Sequence, residues 1–276
     1  MNQPYDHNNK PHQLNLPASQ PLNINRWWIT AVLIAINVAL FSWQVLQGMN
    51  ITQPSTLDAI HWGADYAPLT FLAEPIRLLT SMFFHFGLIH LMLNMWALYI
   101  FGRITEQLFG HTYFIGVYIL SGLAGSLLSG YISIQDSYEM LRLGEAQQAL
   151  FPSVGAGASG AVMGLGGALT VLALLPRLAH QSYYLDKTNL LMVMGLNIAM
   201  GFMISGINNA AHIGGMLMGA CLSLIWYLGE KWQKPILWKI IGLIIGIVLC
   251  ELFYQYCLHL VVDLHPFWIE LVKRIT

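Results

Sequence analysis

Apolar residues gather into seven runs along the chain, approximately 27–46, 82–101, 112–132, 158–175, 188–205, 210–227 and 238–261, with polar or mixed segments between them. A bilayer core takes roughly 20 apolar residues per helix, so the pattern predicts seven membrane-spanning helices. The break between the fifth and sixth rests only on "SGINNAA" at 205–211. Residues 1–26, "MNQPYDHNNKPHQLNLPASQPLNINR", are rich in Asn, Gln and Pro and hold no apolar run. Such a segment cannot supply a packed core, and it reads as a disordered cytoplasmic tail. The first run exceeds the usual apolar length of a cleavable signal and is followed by no small-residue cleavage pattern, so it reads as a retained span.

Composition sharpens this picture. The 276 residues are 56% hydrophobic and only 9% charged, far from the usage of soluble domains, and the chain is expected to lie in the lipid bilayer. A net charge of -1 gives no field of one sign that would draw nucleic acid, and no nucleic-acid partner is expected. Cys221, Cys250 and Cys257 lie in apolar runs without metal-type spacing, which argues against a disulfide framework or zinc ribbon and for no metal. With the N-terminus inside, Lys10, Arg26, Arg103, Arg177, Lys187, Lys231, Lys234 and Lys239 fall on the cytoplasmic side, against Arg77, Arg142, Lys273 and Arg274 outside. Positive charge concentrates in cytoplasmic loops, so this orientation is preferred.

Under that topology three motifs reach one depth. The stretch "FPSVGAGASGAVMGLGG" (151–167) puts Ser159 in the first turn of the fourth helix, and "NNAAHIGGMLMG" (208–219) puts His212 near the start of the sixth. Gly160 with Gly164 and Gly215 with Gly219 are GxxxG pairs, the small-residue spacing that lets membrane helices approach closely. Two such helices could bring a serine hydroxyl to an imidazole, the arrangement in which a base activates a weak nucleophile. In "HFGLIHLMLN" (85–94), His90 and Asn94 share a helix face about two turns in, and both carry N–H groups able to face a developing oxyanion. From the residues alone other readings stay open: "GASG" as packing, Asn94 as interhelical glue, His212 as a donor to a neighbouring carbonyl. Glu251, near the middle of the seventh run, must be neutral, paired or turned toward the bundle. Glu106 with Arg103 reads as a capping or loop-fixing pair at the opposite membrane boundary.

"HFGLIHLMLN", "GASG" and "AHIGG", in this order on the second, fourth and sixth helices, resemble the rhomboid intramembrane serine proteases. The likeness runs from "HWGADYAP" at 61 to "MLMGACLS" near 223 and includes "LNMWALYIFGRITEQLFG" and "YILSGLAGSLLSG". The resemblance implies an all-α polytopic bundle with a six-helix core over 27–227, followed by a linker and a seventh helix within 228–276. It implies a Ser159–His212 dyad without an acidic third member, cutting a peptide bond in or near the membrane segment of single-span protein substrates. By the same likeness His90, Asn94 and the Ser159 backbone N–H form an oxyanion hole, and the fifth helix with the "SGINNAA" loop admits substrate and water. Hydrolysis needs water that the bilayer lacks, so a polar cavity open to one aqueous face is expected, lined by His85, His90, Asn94, Asn208 and Asn209 beside Gly157.

Two positions depart from the family pattern. Ile76 stands where a Trp commonly precedes Arg77, and Met163 stands where an aromatic often stacks on the catalytic histidine. No cofactor is implied, and the expected compartment is a bacterial cytoplasmic membrane with the site facing outward. The rival readings are a non-proteolytic rhomboid-like protein that binds transmembrane clients, a solute transporter and a zinc protease. The transporter would show inverted repeats, and the zinc protease an HExxH motif, which does not occur.

Overall fold

The computed structural model describes residues 24–144, 147–178, 184–203 and 207–275. Most of the predicted tail, residues 1–23, lies outside the described residues, as do residues 204–206 at the break between the fifth and sixth runs. Chain order gives helices α1 (Trp28–Leu46), α2 (Thr56–His61), α3 (Ala67–Leu72), α4 (Arg77–Thr80), α5 (Leu88–Phe109), α6 (His111–Leu143), α7 (Ser159–Leu174), α8 (Lys187–Met203), α9 (Asn209–Lys231), α10 (Pro235–Val261) and α11 (His265–Lys273). Strand β1 (Asp65–Tyr66) precedes α3 and pairs antiparallel with β2 (Val154–Gly155), Asp65 opposite Gly155 and Tyr66 opposite Val154. Among the described residues, α1, α5, α6, α9 and α10 are long and apolar enough to cross a membrane, and α7 is a shorter apolar helix. The chain is an all-α, polytopic membrane bundle.

Each apolar run contains a helix, but the bounds differ where tertiary contacts intervene. The second run is the clearest case. Its helix begins at Leu88, because Gly87, at φ 96°, turns the chain there. The preceding Met82 and Phe84 are 2% and 1% exposed in and just after a single 3-10 turn (Ser81–Phe83), so their apolar character reflects protein burial and not lipid. His90 consequently lies in the first turn of α5, shallower than its spacing within the run suggested, and His85 precedes the helix. The helix of the third run extends to Leu143, well past its predicted end at 132.

Packing is set by small residues. Helix α7 is central: a Cβ on Gly164 would overlap Ser121 of α6, and one on Gly167 would stand 2.6 Å from the Met216 carbonyl of α9. Helix α10 lies on the far side of α6 and α9, with the Tyr113 hydroxyl donating to the Leu222 carbonyl at 2.7 Å beneath it. Glu251 is exposed on the outer face of α10, where its Oε1 accepts from Gln255 Nε2 at 2.8 Å. It is hydrogen-bonded, then, but within its own helix, beside a cavity that α10 shares with α6.

Glu106 does cap a helix, though not with Arg103. Its fully buried carboxylate accepts from the Ile29 and Thr30 N–H groups at 3.0 and 2.8 Å and from the Thr30 hydroxyl at 2.6 Å. It thereby satisfies orphan donors at the N-terminus of α1 and places negative charge at the positive end of the helix dipole. His111 Nδ1 lies 2.7 Å from the same carboxylate. Arg103 instead bonds the Tyr99 hydroxyl at 2.9 Å and lies over its ring.

The segment between α1 and α5 folds around Arg77, which is buried and donates to the Ile60 and Ala64 carbonyls at 2.7 and 3.0 Å, while Ile76 is 60% exposed. Asp65 is 4% exposed and accepts from the Thr70 hydroxyl at 2.6 Å. Burial pushes its carboxyl up to about 6, against the pull of the Thr70 bond and the Arg77 charge. A folded-state value raised above the unfolded one, ordinarily about 3.9, favours the native state most at low pH and loses that contribution as pH rises through about 6. Relative to an Asp65→Asn variant, wild type should therefore lose on the order of 2 kcal/mol of stability between pH 4 and 7. Parallel melting-temperature curves for the two proteins over that range would refute this.

Candidate active site

The GxxxG pairs read from the chain meet each other. A Cβ on Gly215 would overlap the Gly160 carbonyl, and one on Gly219 the Gly164 carbonyl, so α7 and α9 run in the same direction with their backbones in contact. One turn earlier, a Cβ on Gly160 would lie 3.3 Å from the Ala211 carbonyl. This register carries Ser159, the first residue of α7, and His212, in the first turn of α9, to the same end of the bundle. Ser159 is partly buried and His212 is 7% exposed. Among the described residues no hydrogen bond joins the Ser159 hydroxyl to His212, and His212 Nδ1 is buried without a partner. No carboxylate bonds this imidazole among the described residues. Catalytic hydrogen bonds commonly tighten only when substrate is bound.

A second wall is built from α5 and the segment before Ser159. Gly157 adopts φ 122°, a conformation that L side chains rarely take, and its backbone lies flat against α5. A Cβ there would stand 2.8 Å from His90 Cε1, 3.0 Å from His90 Nε2 and 3.9 Å from Asn94 Nδ2. The Phe86 N–H donates to His90 Nδ1 at 3.1 Å, which assigns the ring proton of a neutral His90 to Nε2, the nitrogen facing Gly157. Asn94 Nδ2 donates one N–H to the His90 carbonyl at 2.9 Å and keeps a second. Both side chains therefore present donors on the side of the residue two before Ser159. The first intrahelical bond of α7 runs from Val162 to the Ala158 carbonyl at 3.0 Å, so the Ser159 N–H has no partner within its own helix.

The other expected residues divide between this wall and its support. His85 is fully buried behind His90, ring centroids 5.3 Å apart, and its Nε2 accepts from the Ala158 N–H at 3.5 Å. Met163 is 3% exposed one turn below Ser159. Asn209 opens α9; a Cβ on Gly201 of α8 would overlap its side chain, and both its amide atoms are buried with no partner among the described residues. Asn208 caps α9 through the Ala211 N–H at 3.0 Å and donates to Ser129 of α6 at 2.6 Å.

Sequence reasoning left the α6 contribution unassigned. Ser121, Gly125, Ser129, Ser133 and Ser137 recur every fourth residue, and this small-residue stripe faces α7, α9 and their supports. The spacing was its signal. Ser81, whose carbonyl holds the Gly157 N–H at 2.9 Å, carried none. A cavity of about 230 Å³ lies elsewhere, between α6, α10 and Pro75–Leu78 with Glu251 at its rim, and takes none of its lining from this cluster.

A multi-pass bundle of long apolar helices, carrying a serine and a histidine to the same end, defines an integral membrane protein. Comparison with known proteins identifies the lineage. A family model described as the Rhomboid domain matches residues 72–229, more than half of the chain, and the chain belongs to the rhomboid family. Over 197 residues it is 34% identical to RHOMBOID-like protein 6, mitochondrial, of Arabidopsis thaliana, covering 70% of this chain and 58% of that protein. It is 31% identical over 192 residues to rhomboid protease GluP of Bacillus subtilis, covering 69% of this chain and 33% of the relative. With rhomboid protease AarA of Providencia stuartii the identity is 29% over 214 residues, 72% of this chain and 73% of the relative. The chain thus spans between a third and three quarters of the lengths of these relatives.

Proposed function

We propose that this protein is an intramembrane serine protease that hydrolyses a peptide bond in or near the membrane segment of single-span protein substrates. The observation that supports the reading is the α7–α9 register, which carries Ser159 and His212 to the same end of the bundle, where His90 and Asn94 lie against Gly157, two residues before the serine. Neutral His212 takes the Ser159 hydroxyl proton as the oxygen attacks the scissile carbonyl. The resulting oxyanion is met by the Ser159 N–H, His90 Nε2–H and the free Asn94 N–H, donors already oriented before the charge develops. His212 then passes its proton to the leaving amine, and a water repeats the sequence on the acyl-enzyme. The lysine and arginine distribution supports an N-terminus in the cytoplasm and a site that opens to the exterior face. The segment around "SGINNAA" admits substrate, and residues 27–227 form the catalytic core with the seventh helix appended.

The direct test reconstitutes the purified protein in liposomes with a panel of single-span substrates and maps products by mass spectrometry. Cleavage near the exterior end of the substrate helix is expected. Failure to cut any of the panel, together with failure of a fluorophosphonate probe to label Ser159, would exclude the protease reading.

A further inference from the structure

The C-terminal helix α11 has no part in the chemistry above, yet it is not a loose end. After α10 leaves the bundle, the chain turns through Val262–Leu264 and folds back so that Trp268 is fully buried, with Leu264 and Leu271 beside it. The indole N–H donates to Ser137 Oγ at 3.0 Å on the small-residue stripe of α6, and the Tyr138 hydroxyl fixes the Leu260 carbonyl at 2.6 Å. The Trp268 ring lies 6.5 Å from that of Phe71 in α3, and Phe71 in turn stacks on Tyr254 of α10 at 5.8 Å. Val272 and Ile275 pack against Ile60, Tyr66 and Leu69. The seventh and C-terminal helices therefore close around α3 and β1 from two sides.

From β1 the path to the serine is short. Asp65 pairs with Gly155 and Tyr66 with Val154. Two residues past Gly155 is Gly157, pressed against His90, and two further is Ser159. The Gly157 N–H is held by the Ser81 carbonyl and the Ala158 N–H by His85. Every link is a packed side chain or backbone pair, with no free loop between Trp268 and the segment that aims the serine.

We infer that α11 is a brace for the active site and that Trp268 is a positioning residue, acting through Phe71, α3 and the β1–β2 pair to hold residues 154–158 against α5. This rests on the reading of Ser159 as nucleophile and gives the seventh and C-terminal helices a purpose within it. Displacement of a reacting group by about 1 Å can cost on the order of 10²-fold in rate, so loosening the brace acts on turnover more than on substrate affinity.

The test uses Trp268→Ala in the full chain, Trp268→Phe as rescue, and Trp226→Ala as a control. Trp226 is 3% exposed against Phe109, at the opposite end of the bundle. Trp268→Ala is expected to lower kcat about 10-fold to 100-fold with KM within about threefold, a split that shows transition-state stabilisation lost without loss of binding. Trp268→Phe should restore most of it, and Trp226→Ala should lower the melting temperature without this split. Amide hydrogen exchange across residues 154–158, measured also in the Ser159→Ala background so that it does not depend on chemistry, should quicken in Trp268→Ala and not in Trp226→Ala. Unchanged exchange, unchanged kcat, or equal kcat losses in both tryptophan variants would overturn the brace. An unlabelled, inactive wild type whose 154–158 segment still loosens in Trp268→Ala would instead overturn the protease reading and leave the mechanical link standing.

Discussion

Ser159→Ala and His212→Ala should each reduce peptide-bond cleavage by roughly 10⁴-fold or more in kcat, because residues that act as one nucleophilic unit lose nearly the whole effect when either is removed. The fold should survive both changes. Ser159 is only partly buried, and the Nδ1 of His212 has no partner among the described residues, so little native bonding goes with either side chain. The close contact of α7 and α9 rests on Gly160, Gly164, Gly215 and Gly219, which neither substitution touches. The measurement pairs cleavage of a reconstituted substrate with fluorophosphonate labelling: wild type labels at Ser159, Ser159→Ala does not label, and His212→Ala labels far more slowly. Retention of melting temperature in both variants separates loss of chemistry from loss of structure. Full activity in either variant, or label recovered on another residue, would dismantle the dyad.

His90→Ala and Asn94→Ala should each lower kcat by roughly 10²-fold to 10³-fold while changing KM little, the usual cost of removing one oxyanion donor. The two should differ in a way the geometry dictates. His90 presents Nε2–H only because Phe86 N–H occupies Nδ1, so a replacement that keeps an N–H but loses that orientation, such as His90→Gln, should recover only part of the rate. Asn94 already spends one N–H on the His90 carbonyl, so Asn94→Asp, which has no N–H to give, should resemble Asn94→Ala in kcat. If both alanine variants kept kcat and changed only thermal stability, the pair would be packing residues, with Gly157 merely nested against them.

Much of the candidate site was legible because its signals are local. A GxxxG spacing, an i, i+4 pair and a polar residue in an apolar run are read within one or two helical turns. The residues that orient those groups gave weaker signals or none. Phe86 acts through its backbone N–H and Ser81 through its carbonyl, groups that every residue of their kind possesses. Glu106 looked like a partner for Arg103 because the two are three positions apart, yet it serves α1 from 76 residues away. The start of the second run was misjudged for a related reason: Met82 and Phe84 are as apolar as membrane residues, and only the surrounding protein reveals that they are buried ahead of the helix.

The amino-acid sequence by itself determined the membrane class, the order of the helices and the small-residue faces on which α7 and α9 meet, since hydropathy and side-chain size act at each position regardless of what lies opposite. Tertiary structure alone decided what depends on a distant partner. It set the cap on α1, the β1–β2 pair and the fold-back of α11 onto α3. Each of these is a hydrogen bond or contact between groups whose separation in the chain carries no information about their separation in space.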